Sequence, residues 1–169
     1  MAKAPKQLAD LFHDTLKDVY FAEKKILVAL PKMAKAAQND DLRAAFEKHE
    51  GETEDQVERL EQVFAEIGEK PQGKTCDAIM GILEEGKEIM DEYKGSPALD
   101  AGLLAAAQAV EHYEISRYGT LRTWAQEIGH SKSVELLQAT LDEEESTDAA
   151  LTELAESVVN QEAQAEPAQ

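Results

Sequence analysis

Residues 136–155 read LLQATLDEEESTDAALTELA. Leu137, Leu141, Leu151 and Ala155 recur at the spacing of one face of an α-helix. Glu144 and Asp148 fall on the same face, in the middle of the apolar run. A buried carboxylate is costly unless it is paired, hydrogen-bonded or protonated. Two acids placed where core residues belong therefore need partners from elsewhere in the chain.

Three other segments have the same construction. In residues 7–37, Leu16, Val19, Glu23, Ile26, Leu30 and Met33 are spaced 3, 4, 3, 4 and 3, with Glu23 as the polar insertion. In residues 41–67 the stripe is Leu42, Phe46, His49, Thr53, Gln56, Leu60, Val63 and Ile67, with Glu52 on its flank. The next helix opens at SPALD, where Ser96 can cap and Pro97 suits a first turn. Its stripe runs Leu99, Leu103, Ala106, Val110, Glu114, Arg117 or Tyr118, Leu121, Trp124 and Ile128. The helix that contains the opening stretch starts near Ser131 and fades by Val158 or Val159. This gives one domain over residues 1–159 and a flexible tail over 160–169.

QNDD and IGHSKS supply short joints, so the first two helices form one antiparallel hairpin and the last two another. Residues 68–97 are too long for a plain loop, and CDAIMGILEEGKEIMDEY within them reads as a shorter helix. Two hairpins joined by one long crossover give an all-α, ferritin-like four-helix bundle with a short extra helix. Pro31 should kink the first helix, or else end it near Leu30 and restart it.

The chain has 35 acidic and 17 basic residues, a formal charge of −18. Such a field repels phosphate backbones, so nucleic acid is not expected as a partner. No stretch approaches the roughly 20 apolar residues of a membrane span, and the N-terminus lacks the apolar run of a secretory signal. Cys76 is the one cysteine, read as a small packed side chain; its solitude fits a reducing, cytoplasmic setting.

The polar insertions lie near the helix midpoints, which share one layer in a bundle of similar-length helices. Glu23, Glu52, Glu114, Glu144, Asp148 and His49 should converge there. Such a cluster of acids calls for cations, and two divalent ions would nearly neutralise it. Carboxylates with a little imidazole suit iron, manganese or zinc, and bundles hold di-metal centres with this donor set. The halves echo each other: Glu23 aligns with Glu114, and Glu52 with Gln56 has the spacing of Glu144 with Asp148. Gln56 is read as a residue that orients a ligand. Glu111, Glu143 and Glu145 are assigned to solvated surface, and Tyr20, Tyr113 and Tyr118 to packing, with a redox role open to a tyrosine beside the site.

The blocks LADLFHDTLKDVYFAEKKILVALPKMAKAA, FEKHEGETEDQVERLEQVF, AAQAVEHYEISRYGTLRTWA and LLQATLDEEESTDAALTELA resemble the YciE/YciF family of bacterial ferritin-like stress proteins. KTCDAIMGILEEGKEI extends the likeness through the crossover. The resemblance implies a ferritin-like bundle, a homodimer and a di-metal site like that of rubrerythrin and ferritin. By position it implies ligands at Glu23, His49, Glu52, Glu114, Glu144 and Asp148. The chain departs from the usual Glu-x-x-His: helix two has His49-x-x-Glu52, the last helix has no histidine, and Glu54 stands where some relatives have one. Such a site is harder and more oxygen-rich. Glu84 and Glu85 of the crossover helix are assigned to the surface.

The function expected is metal binding, iron foremost, in iron or oxidant handling under stress. Oxidase or peroxidase chemistry is left open and no catalytic residue is assigned. In the redox form of this reading, Glu52 and Glu144 would bridge two ions, with Glu23 and Glu114 as terminal ligands. The alternative is a non-catalytic dimeric helical stress protein whose interior acids are satisfied by hydrogen bonds, water or protons rather than metal. A storage cage is disfavoured, because the sequence shows no fifth C-terminal helix.

Overall fold

The computed structural model describes residues 5–164. The main helices are α1 (Leu8–Ala36), α2 (Asp40–Glu66), α3 (Asp77–Glu92), α4 (Leu99–Glu127) and α5 (Ser131–Leu154). The path of α5 continues through a π-helical segment, Ala155–Val159, and a last turn, Asn160–Glu162. No strand occurs among the described residues. α1 pairs with α2 and α4 with α5, while α1–α4 and α2–α5 contacts close the bundle. α3, in the crossover, packs on the outside against α4 and α1. The architecture is the all-α, ferritin-like bundle expected from the helix spacing.

Each joint is fixed by a carboxylate from the other hairpin. At the α1–α2 joint, Asn39 accepts from the backbone N–H groups of Asp41 at 2.9 Å and Leu42 at 3.1 Å, an N-cap. Asp100 of α4 accepts the N–H groups of Gln38 at 2.9 Å and Asn39 at 2.6 Å. At the start of α5, Glu66 of α2 accepts the N–H groups of Ser133 at 2.6 Å and Lys132 at 3.2 Å. These bonds satisfy donors that a helix start leaves without partners.

Two boundaries differ from expectation, and one of the two readings of Pro31 falls away. α1 runs unbroken through Pro31, which excludes a stop and restart there. Pro31 is exposed, so water can replace the missing donor. Ser96 caps a turn just before α4, accepting the Ala98 N–H at 3.1 Å. The C-terminal helix outlasts Val159 because Ala155 and Val159 bury in the core and Asn39 Nδ2 donates to Glu162 at 3.0 Å. Residues 165–169 of the expected tail lie outside the described residues.

The core is divided. One apolar cluster gathers Ile26, Leu30, Phe46, Leu103, Val110 and Leu151. The other gathers Leu16, Leu60, Phe64, Leu121 and Leu137. Along every helix of the bundle, the switch from one cluster to the other passes through buried polar residues: Glu23, then His49 to Gln56, then Glu111 and Glu114, then Glu144.

Candidate metal centre

α1 contributes Glu23 to this layer, α2 His49, Thr53 and Gln56, α4 Glu111, Glu114 and Tyr118, and α5 Glu144; all are buried. His49, Glu111, Glu114 and Glu144 each place one ligand atom so that the four lie within 4.8 Å of one another. His49 Nε2 is 3.3 Å from Glu111 Oε1 and 3.8 Å from Glu144 Oε2. Its Nδ1 faces the other way, 3.5 Å from Glu52 Oε2.

The hydrogen bonding is uneven. Tyr118 donates its hydroxyl to Glu23 Oε1. Gln56 donates its amide to Glu144 Oε1 and, at 3.3 Å, to Glu143 Oε2. Arg59 grips Glu143 with two bonds of 2.6 and 2.7 Å. The line Arg59–Glu143–Gln56–Glu144 thus reaches from the rim to the interior and holds one oxygen of Glu144. The opposite atoms have no such partners: Glu23 Oε2, Glu111 Oε2, both oxygens of Glu114, Glu144 Oε2 and His49 Nε2. Buried polar atoms are nearly always paired. A knot of unpaired acceptors around one point fits a divalent cation, and carboxylates with one imidazole suit iron, manganese or zinc.

The electrostatics agree. Burial pushes the Glu23 carboxyl up to about 8, and the charge of Glu144 adds to this against the Tyr118 hydrogen bond. Burial and then Glu144 push Glu111 up to about 11. Burial, then Glu23 and Glu144, raises Glu114 well above the carboxylate range. Without a cation these acids hold protons; a cation would reverse the balance.

Of the six residues expected as ligands, Glu23, His49, Glu114 and Glu144 meet in the layer. Glu52 and Asp148 stand at its rim. Glu52 pairs with Lys48 on its outer side, with its side chain 25% exposed. Asp148 is held by Gln108 Nε2 and His112 Nε2, each at 3.1 Å. Glu111 corrects the surface assignment: it is 2% exposed and belongs to the four-residue cluster. α4 packs against α1, α3 and α5 together, so its buried face is wider than one stripe and takes in Val110 and Glu111 side by side. The run Glu111, Glu114, Tyr118 at i, i+3 and i+7 was the signal for it.

The tyrosines divide. Tyr118 lies in the layer, Tyr20 donates to Glu61 at 2.9 Å, and Tyr113 meets the Cys76 thiol at 3.3 Å. Cys76 is buried. Glu84, Glu85 and Glu145 are exposed, and Glu143 is half-buried against Arg59.

Comparison with known proteins agrees with this architecture. The chain is 44% identical to YciF of Escherichia coli K12 over 160 residues, 94% of this chain and 96% of that protein. The crystal structure of the E. coli stress protein YciF superposes with a TM-score of 0.88 at 43% identity, covering 93% of this chain and 99% of that one. YcfI, described as a putative structural protein from Rhodopseudomonas palustris, gives 0.84 at 44% identity, covering 90% and 97%. A Xanthomonas campestris protein shares the fold at 21% identity, with a TM-score of 0.72 and coverage of 93% and 96%. The match to a family model over residues 7–164 places the chain in the family described as a domain of unknown function, DUF892.

Proposed function

We propose that the protein binds divalent iron in the layer between its two apolar clusters and handles iron or oxidants under stress. One observation carries this reading: His49, Glu111, Glu114 and Glu144 aim unpaired atoms at one another from three helices. A first ion would take these four residues. A second, in a di-metal centre, would draw on Glu23 and share Glu114 and Glu144. Gln56 opposes it, because its amide already holds Glu144 Oε1. Bound iron would supply electrons to dioxygen or peroxide. The chain itself fixes the carboxylates, holds Glu23 through Tyr118 and excludes bulk water. The stress role is supported by the description of E. coli YciF as a stress protein.

Calorimetric titration of chelator-stripped protein with Fe(II), Mn(II) and Zn(II) tests the proposal. We expect one tight equivalent and a weaker second, with the tight one lost in Glu114→Gln and Glu144→Gln and retained in Glu145→Gln. Tight binding that survives both site substitutions refutes the site. The second reading, a helical interaction module without metal, is favoured by the raised carboxyls, which can carry protons instead. It predicts no metal uptake and no gain in thermal stability on adding metal.

A further inference from the structure

Next to the polar layer the core is not filled. A cavity of about 20 Å³ lies among α1, α2, α4 and α5, beneath Leu83 of α3, room for one water-sized or diatomic molecule. Ile26, Phe46, Val110 and Leu151 are among its walls, and His49 and Glu111 border it on the side of the cluster. A second gap of about 20 Å³ shares Ala29, Met33, Leu83 and Val110 with the first. Outside it, a groove of about 190 Å³ between α1 and α3 shares Ala29, Leu83 and Met90 with that gap. Ala29 and Leu83 border all three. The result is a stepped line from a surface groove, edged by Lys25, Lys32, Glu84 and Lys87 and floored by apolar residues that include Val28, 58% exposed, and Met80, 42% exposed, to the His49 imidazole.

The chemistry of the walls selects what can lodge there. An ordered water needs two to four polar partners, and of the lining residues only His49, Glu111 and Thr147, all on one side, are polar; the cavity surface is otherwise apolar. A charged or strongly hydrated molecule would lose its solvation without replacement. Hydrogen peroxide, with two O–H donors and four lone pairs, falls under the same penalty. A small uncharged apolar molecule loses almost nothing. The position is selective too, since neither the rim acid Glu52 nor its partner Lys48 lines the cavity.

We infer that this cavity is a binding site for an apolar molecule of dioxygen size, reached from the α1–α3 groove past Leu83 and opening onto His49 and Glu111. That the occupant meets a metal ion there rests on the metal-binding reading; the cavity and its occupancy do not.

Xenon is the probe, because it enters dry apolar cavities. Crystals of the full chain, stripped of metal and pressurised with xenon, should show one xenon atom between Val110 and Leu151. Val110→Ile, which adds one methyl group inside the cavity, should lower its occupancy at least twofold. Ala29→Val is the second plug, should Val110→Ile not fold by thermal melt. Ordered water in the cavity, no xenon there, or occupancy as high as the parent's in both plugged variants would overturn the inference. Xenon bound in a protein that takes up no metal would keep the cavity and sink the metal reading; metal uptake without xenon would do the reverse. On Fe(II)-loaded protein, the plug should slow oxidation by dissolved dioxygen about fivefold and leave oxidation by hydrogen peroxide unchanged. Equal slowing of both reactions, or of neither, would contradict the assigned route.

Discussion

Gln56 sets how much charge faces the interior. Its amide donates to Glu144 and Glu143 from a position where a glutamate would add another acid. Gln56→Glu removes the donor and brings a further carboxylate into the layer. We expect metal-free protein to lose about 2 kcal/mol by urea denaturation, and the second metal equivalent to tighten by calorimetry. A variant as stable as the parent, with no tighter second equivalent, would contradict this role. The layer also fixes a pH dependence. Glu23, Glu111 and Glu114 keep protons in the folded chain that the unfolded chain releases above the ordinary glutamate value of 4.5. Above that pH the folded state binds more protons than the unfolded chain, so stability falls as pH rises. For Glu23 the loss ends near pH 8, where the folded group ionises. Metal-free protein should thus melt at a lower temperature at pH 8 than at pH 6, and added metal should stabilise it more at pH 8. At this scale the sequence revealed the insertions Glu23, His49, Glu114 and Glu144, because each breaks an apolar period. It hid Glu111, whose burial depends on how many neighbours α4 has.

The helices were more legible than their ends. Periodicity located α1, α2, α4 and α5 within a few residues, since each carries a long stripe, and the length of the crossover exposed α3. The long-range caps were not legible, because nothing local in Asp100 or Glu66 says which joint it will reach. At Glu66, burial works against ionisation, but the hydrogen bonds from Ser133 and Lys132 outweigh it and hold the carboxyl below its usual value. Asp100→Ala should cost about 2 kcal/mol by urea denaturation, since it strips partners from two backbone N–H groups. The seat of α3 depends on a small residue. A Cβ on Gly102 of α4 would come 2.6 Å from Ile89 Cγ2, and a β-branched side chain has little freedom to yield. Gly102→Ala should destabilise the fold by about 1–3 kcal/mol, and Ile89→Ala in the same chain should recover part of the loss. A double variant no more stable than Gly102→Ala alone would show that the clash is not the cause.

For the whole molecule, the dividing polar layer is the organising feature. Two apolar clusters hold the ends of the bundle together, and the acids between them cost stability unless protons or cations accompany them. The formal charge of −18 favours cation uptake, and no helix among the described residues is long and apolar enough to cross a membrane. Bundle topology was legible because loop lengths dictate which helices are neighbours. The cavity beside His49 was not, because it depends on side chains from five helices failing to fill one gap. The central claim is that the layer is a metal site. Its most direct test is anomalous scattering from crystals grown with Mn(II) or Fe(II). The account predicts a strong peak about 2.0–2.3 Å from donor atoms of His49, Glu111, Glu114 and Glu144. A well-ordered, peak-free layer in metal-saturated crystals, or a peak held only by Glu52 and Asp148 at the rim, would contradict it.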